Sequence, residues 1–402
     1  MVRRDKKRGF AGMKYVVCVP DGASDEPVPE LGDRTPLEAA RMPTLAALAR
    51  RAEVGRAATI PPGFPPGSDV GNMSIFGYDP ARYHTGRAPI EAAALGIDIG
   101  DDQVAFRCNL VTVENGTMVD FAGGHPTTEQ AADVIADLQH ALGGGGGGDV
   151  SFHPGVQYRH IMLAPKEWAD ADCAPPHDLT DKPAVWPTGP ASAHLQRLMD
   201  ASREIVPKRG LKANQIWLWG QGARPRLPRF TDTYGIDAGL VSAVDLVRGL
   251  GALTDVERVD VEGATGWYDT NYEGKRDAAI EALRDGGKDL FVIHVEASDE
   301  AGHAGDVDEK VKALENWDRR ILGPLVDAMD DVAPDGWRLL LLPDHPTPLR
   351  LKTHTGDAVP YLLYDSTTAP HTDTGGVYTE AATAAATPVP GHELMARLTL
   401  RR

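Results

Sequence analysis

Short apolar runs alternate with stretches of helical spacing along this 402-residue chain. The runs are rich in β-branched residues and stop at turn-forming residues, and they predict buried strands over 14–20, 215–219, 289–295 and 337–342. Apolar residues recur at three- and four-residue intervals over 37–52, with Thr44 as a predicted N-cap, and over 278–283. Strands that alternate with helices predict an α/β fold whose mostly parallel sheet is covered by helices on both faces.

Polar residues follow three of the predicted strands. Asp21 comes directly after the first run, Asp299 and His303 follow the run over 289–295, and Asp344 with His345 follows the run over 337–342. In sheets of this kind ligands gather outside the carboxyl ends of the strands. We therefore expect these five side chains to lie in one site.

The spacing of these residues adds to the argument. Asp299 and His303 are four apart, so they face one way if the turn is helical, although such a pair is also typical of a helix cap and a surface residue. Asp344 and His345 stand between prolines, and His354 follows nine residues later. Together these Asp and His residues supply enough oxygen and nitrogen donors for two divalent ions.

Ser68 supplies a candidate nucleophile. It follows a proline- and glycine-rich turn over 61–67, at the predicted start of a helix, where free backbone N–H groups favour negative charge. A serine at this position is usually an N-cap. Beside bound dications its hydroxyl would become acidic and nucleophilic, so the sequence predicts a two-metal phosphoryl-transfer enzyme.

Composition narrows the class of partner. The net charge of −17 argues against a nucleic-acid partner, since phosphate backbones are bound by clustered Lys and Arg, and it favours a small substrate. No apolar run is long enough to span a bilayer, and no apolar segment follows the basic residues at 1–12, so we expect a solvated tail, not a signal peptide. Cys18, Cys108 and Cys173 form no CxxC pattern, which is typical of reduced thiols in a cytoplasm.

The middle of the chain differs from its flanks. Residues 105–240 are denser in Pro and Gly, contain a glycine run over 143–148 that predicts a loop, and contain few metal-type residues. We expect an inserted substrate-binding or lid domain there, within a catalytic domain formed by 13–104 and 241–402. Its candidate groups for a carboxylate and two hydroxyls are His125, Arg159, His160, His177 and Asp178, and Arg87 and Lys275 are candidates for neutralising phosphate. For each of these alone, a salt bridge or a cap is an equally open interpretation.

The metal-type residues carry a resemblance when they are taken with their neighbours in chain order. Asp21, the Gly-Ser-Asp-Val-Gly-Asn segment at 67–72, Asp299 with His303, the Asp-His-Pro-Thr-Pro segment at 344–348 and His354 resemble the alkaline phosphatase superfamily, and specifically the archaeal-type cofactor-independent phosphoglycerate mutases. Segments 77–80, 85–93 and 263–275 add to the similarity, which runs from about 13 to 392.

The resemblance implies that Asp21, Ser68, Asp344 and His345 surround one ion, and that Asp299, His303 and His354 surround the other. It also implies interconversion of 3-phosphoglycerate and 2-phosphoglycerate through a phosphoserine at Ser68, with a second domain that keeps water out. Manganese, zinc, magnesium and cobalt all suit such a site, and mixed nitrogen and oxygen ligation favours manganese or zinc.

Two other interpretations stay open at this point. Bacterial relatives with features like the Leu-Trp-Gly-Gln-Gly segment at 218–222 have been proposed as homoserine kinases, and the absence of a GxxxxGK[ST] loop does not exclude that activity or another phosphotransferase or phosphatase activity. A non-catalytic metal-binding module is disfavoured, because structural zinc sites are often rich in cysteine and this set has a serine instead. The sequence leaves the oligomeric state open.

Overall fold

The computed structural model describes residues 12–144, 150–368 and 373–399. Its strands, β1 to β13 in chain order, are Lys14–Pro20, Glu53–Ala58, Gln103–Glu114, Thr117–Asp120, Ser151–His153, Arg159–Pro165, Gln215–Gly222, Ala238–Val241, Glu257–Arg258, Leu290–Val295, Trp337–Leu341, Val359–Asp365 and Val389–Pro390. Its α-helices, α1 to α15, are Pro36–Ala39, Pro43–Ala49, Ser68–Ile75, Pro80–Tyr83, Arg87–Ala94, Thr128–Leu142, Ser192–Ser202, Phe230–Tyr234, Asp245–Thr254, Tyr272–Arg284, Ala297–Ala304, Val307–Trp317, Gly323–Val332, Glu380–Thr383 and Leu394–Thr399.

The described residues of Met1–Tyr83 and Leu227–Arg402 form one compact unit, which is built on an eight-stranded sheet. The strand order is β13-β2-β12-β11-β1-β10-β8-β9. β1 lies between β10 and β11 and is parallel to both, and β12 is antiparallel to its neighbours β11 and β2. The predicted α/β class and the mostly parallel sheet are confirmed.

Both faces of this sheet are buried. Val16 and Cys18 of β1 belong to a core cluster that includes residues of α2, α10, α12 and α13. Val17 and Val19 point to the other face, where they are equally inaccessible, and α9 and α15 contact the sheet through β8 and β11. The unbroken apolar run at 14–20 therefore reflects a strand covered on two sides.

The helical region predicted over 37–52 differs from the structure. The helical spacing over 37–52 forms two helices, α1 and α2, and the N-cap of α2 is Met42, so the predicted Thr44 cap is wrong. The cap is supplied from far along the chain: the Asp318 carboxylate accepts hydrogen bonds from the backbone N–H groups of Thr44 and Leu45, at 3.2 and 2.8 Å. The strand predicted over 215–219 is confirmed as β7, and it lies in a second sheet.

The described residues of His84–Arg226 form the other compact unit. Its sheet has the order β4-β3-β6-β5, with β7 also paired to β3, and its pairings are antiparallel. α6 and α7 pack on one face, and α5 packs on the other through Ala88 and Ala92. That apolar contact places α5 in this unit, although the sequence predicted the inserted domain only from residue 105 to 240.

Two predictions fall wholly or partly on residues outside the described part of the chain. Gly143 and Gly144 follow α6, and the rest of the predicted loop lies at 145–149, which the structure does not describe. Of the predicted tail over 1–12, only Gly12 is described. Among the described residues, no helix is long and apolar enough to cross a membrane.

Candidate metal centre and active site

Three adjacent parallel strands deliver the predicted metal-type residues to one edge of the main sheet. Asp21 follows β1 directly, Asp299 lies in α11 just after β10, and Asp344 and His345 come just after β11. All four side chains are buried, and Asp344 and His345 are completely inaccessible. The structure brings these four side chains together, and His303, the fifth that we expected there, lies 3.3 Å from Asp299 through its Nε2.

Ser68 opens helix α3, whose N-cap is Gly67, as the sequence predicted for the start of a helix. Its Oγ lies 3.1 Å from Nε2 of His345. Asn72, one turn further along α3, donates from Nδ2 to Asp344 Oδ2 at 2.8 Å and to the Ser68 carbonyl at 3.0 Å. Asn72, which we did not single out from the sequence, therefore fixes Ser68 relative to Asp344.

The hydrogen bonds of His345 define which ring nitrogen carries a proton. Thr347 donates its only hydroxyl hydrogen to Oδ1 of Asp299, so its oxygen can only accept from Nδ1 of His345, 3.3 Å away. Burial lowers the pKa of His345 to about 4, although the Asp344 carboxylate opposes the shift. A neutral ring with the proton on Nδ1 leaves a lone pair on Nε2, which faces Ser68.

Asp299, His303 and His354 form a second group beside the first. Nε2 of His303 lies 3.3 Å from Asp299 Oδ2 and 2.9 Å from Nε2 of His354, which is itself 3.5 Å from Asp299 Oδ1. The His354 ring also lies against the His345 ring, with 3.9 Å between centroids and 31° between the ring planes. The helical four-residue spacing of Asp299 and His303 is confirmed by α11.

The geometry yields two candidate ligand groups with a shared member. Potential ligand atoms lie within 4.8 Å of one another in the group Asp21, Asp344 and His345, and likewise in the group Asp299, His345 and His354. The resemblance had placed His345 in the first group alone. In the structure His345 lies between the two groups.

The electrostatics of this site fit divalent cations. Burial raises the pKa of Asp21 well above its ordinary value, and the carboxylates of Asp344 and Asp299 raise it further. Oδ1 of Asp21 is buried and has no hydrogen-bond partner among the described residues. Crowded, buried and incompletely paired carboxylates next to neutral imidazole are the donors that divalent metals require.

Behind Asp21 lies a buried network that the sequence did not reveal. Lys275, which the sequence suggested as a phosphate contact, is fully buried, with Nζ 2.6 Å from Glu296 Oε2. Glu296 in turn contacts His294, which faces Asp21. His294 lies inside the buried apolar strand β10, and nothing in its local spacing marks it as a functional residue.

In the second unit, rings and guanidinium groups form a continuous cluster that includes four of the predicted substrate residues. Arg87 lies over the Trp219 ring, His177 contacts that ring edge-on at 5.3 Å, and Tyr158 contacts both His125 and Arg159. Phe121 joins the two halves through edge contacts with His177 and Tyr158.

Arg107 is a member of this cluster that the sequence did not indicate. It is buried, lies 4.4 Å over the Trp219 ring and forms an ion pair with Glu91 at 2.7 Å. Burial lowers the pKa of Arg107 to about 10, and although Glu91 opposes this, Arg87 and Arg159 lower it further. Glu91 forms ion pairs with both Arg107 and Arg87, and Arg159 adds a third positive charge near Arg107, which leaves positive charge available for an anion.

The remaining two predicted substrate residues lie in different surroundings. His160 is buried, and its Nδ1 accepts a hydrogen bond from the Gly155 N–H at 3.0 Å. Burial lowers the pKa of His160 to about 3, so it is neutral. Asp178 is exposed over 64% of its side chain and lies 3.7 Å from His177 Nε2.

A serine at a helix N-terminus beside buried carboxylates and imidazoles on an α/β sheet defines a class, the metal-dependent phosphoryl-transfer enzymes. A family model described as 2,3-bisphosphoglycerate-independent phosphoglycerate mutase matches residues 49–211. A protein of that name from Methanothrix thermoacetophila is 47% identical over 366 residues, which cover 88% of this chain and 91% of the relative. A probable enzyme of that name from Geobacter sulfurreducens is 44% identical, over 93% of this chain and 96% of the relative.

Solved structures agree with these sequence matches. A protein from Pyrococcus horikoshii superposes with a TM-score of 0.79 and 27% identity, covering 96% of both chains. A cofactor-independent phosphoglycerate mutase from Thermoplasma acidophilum superposes with a TM-score of 0.61 and 25% identity, over 96% of this chain and 98% of that one. The chain belongs to the family of 2,3-bisphosphoglycerate-independent phosphoglycerate mutases, as its resemblance indicated.

Proposed function

We propose that this protein interconverts 3-phosphoglycerate and 2-phosphoglycerate through a phosphoserine at Ser68. The observation that carries the proposal is the placement of Ser68 Oγ, 3.1 Å from the unprotonated Nε2 of His345 and at the N-terminus of α3. Relatives whose similarity covers about nine-tenths of this chain are named as phosphoglycerate mutases, and those names support the same substrate.

Two divalent cations fit the donor groups, and we propose manganese or zinc, because carboxylate oxygen and imidazole nitrogen are mixed in both groups. Asp21, Asp344 and His345 would hold one cation with Ser68, and Asp299, His303 and His354 would hold the other. Such cations, when bound, acidify a serine hydroxyl and neutralise the oxygens of a phosphate ester.

The chain's own residues prepare Ser68 for attack. Nε2 of His345, which would hold the cation, lies 3.1 Å from Ser68 Oγ. Asn72 holds the Ser68 carbonyl and Asp344 together, so the serine oxygen lies among the residues that would hold the cation. Ser68 Oγ forms a bond to phosphorus as the bond from phosphorus to the C3 oxygen breaks, and the proton that Ser68 loses balances the one that the C3 oxygen gains as glycerate forms. The phosphoryl group then passes from Ser68 to the C2 oxygen, and the proton that the C2 hydroxyl loses balances the one that Ser68 Oγ regains.

The second unit would bind the anionic part of the substrate. Arg87 and Arg107 share the carboxylate of Glu91, and Nε of Arg159 is buried without a hydrogen-bond partner among the described residues. Guanidinium groups bind carboxylate and phosphate oxygens in pairs. We propose that His125 and His177 contact the glycerate hydroxyls.

A direct assay tests the reaction. The Mn²⁺-loaded protein is incubated with 3-phosphoglycerate, and ³¹P NMR follows the ester signals. We expect 2-phosphoglycerate to accumulate with little inorganic phosphate. Inorganic phosphate as the main product would indicate a phosphatase, and turnover only with homoserine and ATP would indicate a kinase. Either result would reject the mutase proposal.

A further inference from the structure

His294 of β10 places its two ring nitrogens against two different carboxylates. Nδ1 lies 3.2 Å from Oε1 of Glu296, and Nε2 faces Oδ2 of Asp21 at 3.4 Å. The ring is completely buried, and Nε2 has no hydrogen-bond partner among the described residues. An ionised carboxylate can only accept, so a ring nitrogen that bonds Glu296 or Asp21 must be the donor in that contact.

Glu296 is itself firmly held. Lys275 Nζ lies 2.6 Å from its Oε2, and the backbone N–H of Ala243 donates to its Oε1 at 2.8 Å. Lys275 also donates to the His294 carbonyl at 3.0 Å, and both Lys275 and Glu296 are buried. The orientation of the His294 ring is therefore fixed from the side opposite Asp21.

The two oxygens of Asp21 face in different directions. Oδ2 faces His294. Oδ1 faces Nε2 of His345 at 3.6 Å, and the same nitrogen lies next to Ser68. A carboxylate joined to its chain by one flexible torsion can turn unless one oxygen is engaged. An imidazole N–H directed at Oδ2 would leave Oδ1 as the oxygen presented to a cation.

We infer that His294 is a positioning residue that fixes the Asp21 carboxylate for divalent-cation binding, and that Glu296 and Lys275 act through it. This inference deepens the proposed function, because it concerns the cation group next to Ser68. It also gives the buried Lys275 a role that requires no contact with substrate. Partners of this kind behind a ligand commonly change metal affinity by about 10- to 100-fold.

The test is a Mn²⁺ titration of the full-length, metal-stripped protein by isothermal calorimetry, with two substitutions that separate the ring nitrogens. The amide of His294→Gln can reach the position of Nε2, and the shorter amide of His294→Asn can reach only that of Nδ1. We expect His294→Asn to weaken Mn²⁺ binding by about 10- to 100-fold and His294→Gln to retain most of the affinity. His153→Gln is the matched control: His153 also lies on a strand and bonds a serine hydroxyl at 2.9 Å, and its substitution should leave Mn²⁺ affinity unchanged.

Thermal unfolding of each variant separates positioning from simple stabilisation. A folded His294→Asn protein with wild-type Mn²⁺ affinity would overturn the inference, whether or not its Tm falls. If His294→Asn does not fold, the nearly isosteric Glu296→Gln replaces it, and unchanged affinity in that variant would have the same meaning. Weakened Mn²⁺ binding in a protein that does not convert 3-phosphoglycerate would reject the proposed function and leave the role of His294 intact.

Discussion

Gly22 is the residue whose substitution tests the packing of the site most severely. It follows Asp21 and has φ +61°, and a Cβ atom there would lie 2.5 Å from Oδ1 of Asp299 and 2.6 Å from Oγ1 of Thr347. It would also lie 2.7 Å from the Cα of Asp299, which cannot rotate away. Gly22→Ala must therefore shift the backbone of α11 at a candidate metal ligand.

The cost has two parts. Left-handed backbone costs a non-glycine residue about 1–2 kcal/mol, and overpacking adds about 1–3 kcal/mol, so we expect a loss of about 2–5 kcal/mol in the free energy of unfolding. Displacement of Asp299 should also lower kcat by about 100-fold, the scale at which misplacement of about 1 Å is felt.

Gly32→Ala is the matched control. Gly32 has φ +69°, but nothing lies within 4 Å of its Cβ position, so this change carries the backbone cost alone. Urea unfolding and a mutase assay coupled to enolase are run on both variants. We expect Gly32→Ala to lose about 1–2 kcal/mol and keep its activity. If the two variants matched in stability and in kcat, the close approach of Gly22 to Asp299 and Thr347 would be refuted.

Three further predictions concern metal, catalysis and pH. Exhaustive treatment with EDTA should abolish turnover, and added Mn²⁺ should restore it; full activity after chelation would contradict the two-metal account. Asp344→Asn and His345→Ala should each lower kcat by at least about 100-fold in steady-state assays, and near-normal rates in both would show that they are bystanders. Hydrogen bonds from Arg320 lower the pKa of Glu273 to about 2 against the opposing effect of burial, so this pair stabilises the fold above the ordinary glutamate range, and the gain is lost as pH falls through about 2. Because 45% of the Glu273 side chain is exposed, Glu273→Gln should cost less than about 1 kcal/mol at pH 7 and progressively less as the pH falls towards 2, and a constant cost across that range would exclude the charge as its cause.

The residues that sequence reasoning found share a local signal. Asp21, Asp344 and His345 each stand where an apolar run gives way to turn residues, and the parallel order of β10, β1 and β11 then brings them together. Periodicity and turn chemistry act over a few residues, which is why these positions could be identified without a structure.

The residues that were missed depend on contacts between distant parts of the chain. His294 lies inside the apolar strand β10, where a polar residue has no local marker, and Asp318 caps α2 from more than 270 positions away. Strand β7 looks like the other apolar runs, but its partner is β3 of the second sheet. Long-range pairing of this kind leaves no trace in local spacing.

The phosphorylation state of Ser68 under turnover tests the central claim most directly. The Mn²⁺-loaded protein is quenched in acid after mixing with 3-phosphoglycerate, and peptide mass spectrometry locates any added phosphoryl group. We predict phosphate on Ser68 in the wild type, and neither phosphate nor mutase turnover in Ser68→Ala. An unmodified Ser68 in the wild type, together with an undiminished mutase rate in Ser68→Ala, would contradict the proposed nucleophile.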